Sequence, residues 1–284
     1  MKNKLLLLLF LLGVVFPLSA QESEVLISTS HTSLLLSTSQ GGELKFLYYG
    51  RKLTDADVHA IVSTESGSFS AYPVYGLNCP SESALSVQHE DGNMTLQMEV
   101  IGVETTHQEK ANLTVISLKD KVYPFYVKLC YKAYQDVDVI EAWTEISHKE
   151  KKNVKLNQFA SAYLPVRKGN VWLSSLYGAW ANEARLVQEP LEPGMKVIKN
   201  KDGVRNSHTA HAEVMFSLDG QPRENSGRVI GAALCYGGNY KLRIDTDESE
   251  YHHFYAGINE DNSVYHLKSG EVFKTPELAL TYSD

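Results

Sequence analysis

Apolar and polar residues alternate along most of the chain, and this period of two is typical of half-buried β-strands. The alternation predicts strands over the following segments: Thr32–Ser37, Leu44–Tyr49, Leu85–Gln88, Thr95–Val103, Leu113–Leu118, Tyr126–Tyr134, Val139–Ser147, Val154–Tyr163, Val171–Tyr177, Ala212–Leu218, Val229–Tyr236, Leu242–Thr246, Tyr251–Ile258 and Glu277–Tyr282. Gly-containing turns separate these segments, and Asp91-Gly92 is the clearest hairpin turn. So many strands predict an all-β protein, folded as one large, two-layer antiparallel β-sandwich.

One short helix interrupts the strands. Thr54 is placed to cap a helix over Asp55–Ile61, and Asp55 and Asp57 fall in the first turn, where carboxylates stabilise the helix N-terminus. The following stretch, Ser63–Ser83, has no periodic pattern and predicts a long irregular loop. Loops of that length are uncommon and often functional, so this loop is a candidate site.

The first twenty residues differ from the rest of the chain and predict a secretory signal peptide. Lys2 and Lys4 precede the apolar run Leu5–Phe16, which is too short to span a bilayer. Small residues follow, so we expect cleavage after Ala20 and a mature domain over residues 21–284. No cysteine follows the cut, which argues against a lipid anchor. The prediction is export to the periplasm or the medium, with no membrane attachment after cleavage.

The charge and cysteine content of the chain argue against several classes of binding partner. The chain has a net charge of −7 and no long basic run, which argues against nucleic acid and anionic membranes as partners. The three cysteines, Cys79, Cys130 and Cys235, are an odd number and do not have the spacing of a zinc site. They are interpreted as small buried apolar side chains.

Two groups of histidines are candidates for chemistry. His208, His211 and Glu213 form an H-x-x-H-x-E pattern, in which His211 and Glu213 would share a strand face. Zinc needs three such ligands, but no supporting pattern accompanies them, so we interpret them as a polar strand entry. His252 and His253 are neighbours on a predicted strand and therefore point to opposite faces, one at the core edge and one at the surface.

Carboxylate pairs are the second candidate for chemistry, because glycoside hydrolysis uses two of them across a cleft. Asp136 and Asp138, and likewise Asp245 and Asp247, stand two residues apart beside predicted turns. Such acidic residues are usually solvated turn residues, and this is our interpretation. The sequence contains no hydrolase, nucleotide or metalloprotease motif, and it predicts no catalytic residue, metal or cofactor.

The second half of the chain carries motifs in a recognisable order. They are Tyr236–Tyr240 (YGGNY), Gly257–Asn259 (GIN), Leu267–Glu277 (L-x-x-G-E-x-F-x-T-P-E) and Tyr282–Asp284 (YSD), preceded by Leu47–Lys52 (LYYGRK), Gly178–Glu183 (GAWANE) and Ser207–His208. This set resembles the N-terminal domain of glycoside hydrolase family 36, the bacterial retaining α-galactosidases. The resemblance covers roughly Thr32 to Asp284.

The resemblance implies a large antiparallel supersandwich followed by a TIM barrel that carries two catalytic aspartates. Family enzymes release terminal α-1,6-linked galactose from melibiose- and raffinose-type sugars. Both aspartates belong to the barrel, and this sequence has no Lys-x-Asp strand followed by Met-Asn, so no catalytic residue is carried over. The stretch Leu267–Asp284 is then expected to be the seam where the barrel follows. The implied partners are that barrel, a galactoside and further copies of the chain.

The family also implies a substrate contact from this domain. In tetrameric members, a loop with an aspartate before Phe-Ser-x-x-Pro reaches the active site of a neighbouring subunit. Here Phe69–Pro73 matches the latter part, and Glu65 is the nearby acidic residue. Glu65 and Tyr72 are therefore the candidate substrate-binding residues. Trp180, in the GAWANE motif, is interpreted as a packing residue because large aromatic side chains are usually buried.

Three functions remain open on this reading. The first is the non-catalytic N-terminal sandwich of an exported α-galactosidase. The second is a free-standing carbohydrate-binding sandwich, which requires an aromatic cluster. The third is an enzyme like galactose mutarotase, another supersandwich, which requires histidine and glutamate to converge in one cleft; His208, His211 and Glu213 are its candidates.

Overall fold

The structure is a computed structural model that describes residues 23–64, 69–76, 82–166, 168–205 and 209–284. Its strands are β1 Ser23–Ser28, β2 Thr32–Thr38, β3 Leu44–Arg51, β4 Phe69–Ser70, β5 Leu85–Gln88, β6 Met98–His107, β7 Ala111–Asp120, β8 Phe125–Tyr134, β9 Val139–His148, β10 Val154–Val166, β11 Trp172–Ala179, β12 Asn182–Pro190, β13 Gly194–Lys199, β14 Ala210–Ser217, β15 Val229–Leu234, β16 Tyr240–Thr246, β17 His252–Ile258, β18 Tyr265–Leu267, β19 Val272–Lys274 and β20 Leu278–Ser283. One helix, α1 (Asp55–Thr64), is present in the described ranges.

The strands form three antiparallel sheets. A four-stranded sheet has the order β1-β2-β3-β4, and a six-stranded sheet has the order β13-β16-β17-β10-β18 with β5 also paired to β10. A ten-stranded sheet has the order β12-β11-β14-β15-β20-β9-β8-β7-β6, with β19 also paired to β9. The predicted all-β, antiparallel architecture with one short helix is confirmed. The predicted signal peptide and its cleavage at Ala20 lie outside the described residues and stay predictions.

All three sheets contribute to one hydrophobic core. The six- and ten-stranded sheets face each other where the rings of Phe254 and Phe216 pack edge to face, 5.1 Å between centroids. Leu36 of the four-stranded sheet belongs to the same buried cluster. Each large apolar side chain buried in this way contributes about 1.5–3 kcal/mol, so the shared core holds the sheets together.

The predicted helix and its cap are confirmed, and the helix runs three residues further, to Thr64. The backbone N–H of Thr54 donates to Asp57 Oδ2 at 2.9 Å, and the Asp57 N–H donates back to Thr54 Oγ1 at 3.3 Å. This reciprocal pair satisfies N–H groups that lack partners at a helix start. No helix within the described residues is long and apolar enough to cross a bilayer.

The loop predicted over Ser63–Ser83 is more ordered than expected in its described parts. Phe69 and Ser70 form β4 against β3, and Ala71 N–H donates to the Leu44 carbonyl at 2.9 Å. Isolated bridges then join Val74 to Leu85 and Gly76 to Leu96. These pairings follow because buried backbone groups need hydrogen-bond partners even where the sequence shows no alternation.

The prediction of three buried cysteines is wrong for Cys235, which is exposed. Cys130 is buried, and burial raises the pKa of its thiol to about 12. Cys130 therefore behaves as the small apolar side chain that was predicted. Cys79 lies outside the described residues.

Candidate functional site

Tyr72 anchors the Phe69–Pro73 loop to the sheet below it. Its side chain is buried, and its hydroxyl donates to the Ala160 carbonyl of β10 at 2.7 Å. Burial raises the pKa of the phenol. A sugar contact by Tyr72 would require this hydroxyl to leave its bond, and that contact stays a prediction. Glu65, the other candidate, lies outside the described residues.

Beside this loop lies an open cavity of about 310 Å³, which we call the aromatic pocket. Six aromatic residues line it: Phe46, Tyr48, Tyr49, Phe69, Tyr251 and Tyr282. They come from β3, β4, β20 and the residue before β17, so four separate parts of the chain meet here. Sequence analysis named three of these parts separately, in LYYGRK, Phe69–Pro73 and YSD, but nothing in the sequence places them together.

Arg228 is the one charged group among the described residues that line the aromatic pocket. Its Nε donates to Asp219 Oδ2 at 3.0 Å, and its Nη2 also contacts that carboxylate. The hydrogen bond and charge of Asp219 raise the pKa of the guanidinium, although partial burial opposes this. The Asp219 carboxylate therefore neutralises the charge that Arg228 brings to the pocket.

The two adjacent histidines are both buried, which corrects the prediction of one surface histidine. His253 Nε2 donates to Asp247 Oδ2 at 3.2 Å, and its Nδ1 is hydrogen-bonded to the Tyr163 hydroxyl at 2.8 Å. His252 Nε2 donates to the Gly169 carbonyl at 2.8 Å. Both faces of β17 are covered, so neither side chain reaches solvent. These contacts give both histidines a structural role.

His211 and Glu213 lie together, with Nδ1 and Oε1 3.2 Å apart, as expected of residues on one strand face. His208, the third member of the pattern, lies outside the described residues. Within the described ranges, no cluster of three or more His, Cys, Asp or Glu side chains is arranged to hold a metal ion.

The acidic residues beside turns act as hydrogen-bond acceptors. Asp138, at φ 51°, accepts from Thr29 Oγ1 and from the His31 N–H, each at 2.7 Å. Asp247 accepts from the Tyr251 N–H at 2.9 Å. Burial opposes ionisation of both carboxyls, yet these hydrogen bonds hold their pKa values below the usual range. This arrangement supports the interpretation that they are turn residues.

Two of the ordered sequence motifs form a network of hydrogen bonds at one end of the six-stranded sheet. Asn259 Nδ2 donates to the Asn200 carbonyl at 3.0 Å, and the Asn259 N–H donates to the Asn239 carbonyl at 2.9 Å. Asn239 Oδ1 in turn accepts from the Gly203 N–H at 2.7 Å. The asparagines of YGGNY and GIN therefore tie together the ends of β13, β16 and β17.

Trp180 is 84% exposed, so its interpretation as a packing residue is wrong in this chain. It stands at the tip of the β11–β12 hairpin, and the pairing of β11 with β14 ends at Tyr177 and Ala210. The tip thus extends past the last residue pair that could cover it. A large exposed indole on a projecting hairpin is available for an intermolecular contact.

Comparison with known proteins identifies the family. The family model described as "Glycosyl hydrolase family 36 N-terminal domain" matches residues 42–268. The chain is 31% identical over 180 residues to alpha-galactosidase Mel36A of Lactobacillus acidophilus, covering 63% of this chain and 24% of that protein. It is 24% identical over 290 residues to the bifunctional alpha-galactosidase/sucrose kinase AgaSK of Mediterraneibacter gnavus, covering 90% and 31%.

Solved structures agree on the fold. The alpha-galactosidase of Lactobacillus brevis superposes with a TM-score of 0.82 at 23% identity, covering 92% of this chain and 39% of that one. The GH36 alpha-galactosidase AgaA of Geobacillus stearothermophilus gives 0.80 at 22% identity, covering 92% and 41%. The chain spans less than a third of the length of curated relatives such as Mel36A and AgaSK, 24% and 31%. The match over residues 42–268 places this chain in the family of glycosyl hydrolase family 36 N-terminal domains.

Proposed function

We propose that the chain is the non-catalytic N-terminal β-sandwich module of an exported α-galactosidase that acts on terminal α-galactosides of the melibiose and raffinose type. The observation that carries the proposal is the family match over residues 42–268. The similar proteins Mel36A and AgaSK are named as α-galactosidases, which supports the activity of the parent.

The module's partner in this proposal is a TIM-barrel catalytic domain. Support comes from length, because this chain corresponds to only 24% of Mel36A and 31% of AgaSK. Chemistry agrees, since the Asp138 and Asp247 carboxylates are engaged as hydrogen-bond acceptors beside turns. The barrel then supplies the catalytic carboxylates, and the sandwich supports it.

A homo-oligomer is the second part of the proposal. Trp180 and Leu186 are 84% and 60% exposed on the β11–β12 hairpin. Exposed apolar side chains on one projecting element fit a protein contact better than solvent. Sedimentation should show association that Trp180→Ser weakens, whereas Val122→Ser, a control at a second exposed apolar residue, leaves it unchanged. A monomer at all concentrations would contradict this part.

Export is the third part, and it rests on the basic start, apolar run and small residues ending at Ala20. If the signal is cleaved there, mass spectrometry of the secreted protein will find Gln21 at the N-terminus. A retained Met1 in the extracellular fraction would contradict it.

The absence of catalysis by this chain is tested with an aryl α-galactoside. The purified chain should release no aryl leaving group above the buffer rate. The proposal is overturned if the chain shows turnover that a carboxylate substitution, such as Asp247→Asn, abolishes. Asp136→Asn is the control at an exposed turn carboxylate.

A further inference from the structure

The aromatic pocket has a backbone irregularity at its centre. Phe46 pairs with Leu36 and Tyr48 pairs with Leu35, so Leu47 is an extra residue, a β-bulge in β3. In a regular strand, successive side chains point to opposite faces. The bulge breaks this alternation at Leu47, and Phe46, Leu47 and Tyr48 all line the pocket. Bulges of this kind re-aim side chains and are common beside functional sites.

The pocket's aromatic rings are partly open to solvent and set at different angles. Phe69 packs edge to face against Tyr251, with ring centroids 4.9 Å apart and planes at 71°. Tyr48, Phe69, Tyr251 and Tyr282 are each half-buried, so part of each side chain remains uncovered. Tyrosine offers an apolar ring face together with a polar hydroxyl, a combination that suits a ligand with both kinds of surface.

The polar groups of the pocket favour a neutral ligand. Arg228 is already paired with Asp219, which leaves no unpaired charge among the described lining residues. The Tyr48 hydroxyl donates to the Arg51 carbonyl at 2.9 Å and can still accept a hydrogen bond. A ligand rich in hydroxyl groups could satisfy such acceptors without bringing in a charge that needs compensation.

We propose that the aromatic pocket binds a neutral saccharide of one or two pyranose rings. The C–H face of a pyranose packs on aromatic rings, and its hydroxyls donate and accept at the rim. A cavity of about 310 Å³ lies at the lower end of the range usual for small-ligand sites, about 300–1,000 Å³. The site is on the sandwich itself, so the inference does not depend on catalysis by a barrel.

Tyr49 places a buried polar group beside the pocket. It lines the pocket, and its buried hydroxyl has no hydrogen-bond partner among the described residues. A buried unpaired hydroxyl costs free energy, so each case calls for a physical reason. That hydroxyl is fully covered by protein, so a ligand in the open pocket does not reach it without a rearrangement.

The test is titration of the purified chain with galactose, melibiose and galacturonate, followed by calorimetry or ligand-observed NMR. The neutral sugars should bind with dissociation constants in the millimolar range, and galacturonate should bind more weakly. Tyr251→Ala should weaken binding about tenfold or more. Tyr75→Ala, which removes a 49% exposed tyrosine outside the pocket, should leave it unchanged.

Two further variants separate a pocket from a general surface effect. Leu47→Trp adds volume at the bulge without removing a polar group, and it should block binding while the chain stays folded. Tyr49→Phe removes only the covered hydroxyl, so it should bind as the parent does, without lowering the free energy of unfolding of the free chain. The proposal is overturned if no neutral sugar binds at concentrations up to about 10 mM, if galacturonate binds more tightly, or if Tyr251→Ala and Leu47→Trp bind as the parent does. These experiments measure sugar binding only. A failure to bind would not contradict the proposed α-galactosidase module. Failure of that proposal would likewise not contradict sugar binding in the aromatic pocket.

Discussion

Tyr49 and Tyr72 are both buried tyrosines of the same core, but their hydroxyls stand in opposite situations. The Tyr72 hydroxyl bonds the Ala160 carbonyl at 2.7 Å, whereas the Tyr49 hydroxyl has no partner among the described residues. Sequence alone marks both as β-forming aromatic residues and cannot tell which hydroxyl is bonded. That difference arises only when β10 and β3 are placed in the fold.

This contrast gives a matched pair of variants. Tyr72→Phe removes the hydrogen bond to the Ala160 carbonyl, so the free energy of unfolding should fall by about 0.5–1.5 kcal/mol. Tyr49→Phe removes an unpaired hydroxyl, so it should leave the stability unchanged or raise it slightly. Urea unfolding followed by circular dichroism measures both. Equal losses in the two variants would refute the assigned bonds.

The buried His252 predicts that the free energy of unfolding depends on pH. Burial lowers its pKa below 6.5, although its hydrogen bond to the Gly169 carbonyl opposes this. Between the lowered folded pKa and 6.5, the unfolded chain binds more protons than the folded chain. The free energy of unfolding should therefore fall as the pH drops below 6.5, and it should gain nothing further from this residue above that value.

His252→Gln removes this titration, so stability should decline less between pH 6.5 and pH 5 than in the parent. His266→Gln, which changes an exposed histidine, should preserve the parent's slope. Denaturant unfolding at a series of pH values measures both slopes. A steeper decline in His252→Gln than in the parent would be incompatible with a neutral buried imidazole.

At the scale of elements, alternation predicts strands that have one buried face. In β9, burial alternates along the whole strand, and the sequence showed this pattern directly. In β12, nearly every residue is exposed, because it is an edge strand that projects with the hairpin. Its sequence, NEARLVQEP, has no apolar stripe, and the strand was therefore missed. In β17, both faces are buried, and this misled the assignment of its histidines.

The β11–β12 hairpin depends on a close backbone contact at Gly178. A Cβ at this position would lie 2.6 Å from Glu183 Cα and 2.9 Å from the Asn182 carbonyl oxygen. Gly178→Ala should therefore distort the hairpin tip and destabilise the fold by about 1–3 kcal/mol. This contact also explains the glycine of the GAWANE motif in physical terms.

Gly102→Ala is the matched control, since a Cβ there meets nothing within 4 Å. Gly102 lies in β6, an edge strand, where alanine should be neutral or slightly stabilising. Chemical unfolding compares the two variants. Equal stability of Gly178→Ala and Gly102→Ala would contradict the close approach.

At the scale of the whole molecule, the sequence predicted the class of fold and the family better than the site. The ordered C-terminal motifs resembled the family, and two of them, YGGNY and GIN, hydrogen-bond to each other through Asn239 and Asn259. Periodicity predicted two layers but not the separate four-stranded sheet, since pairing between distant strands leaves no local signal. The aromatic pocket was unpredictable for the same reason, because it joins β3 to Tyr251 and Tyr282.

The central claim is that this chain serves as the N-terminal sandwich of an α-galactosidase. Its most direct test uses the alpha-galactosidase AgaA of Geobacillus stearothermophilus, which this chain resembles in fold. The matching N-terminal domain of AgaA is replaced with residues 21–284 of this chain. Activity on an aryl α-galactoside is compared with that of AgaA lacking the domain. We expect the chimera to be soluble and at least about tenfold more active than the deletion, and the chain alone to be inactive. A chimera no more soluble or active than the deletion, or turnover by the chain alone, would contradict the claim.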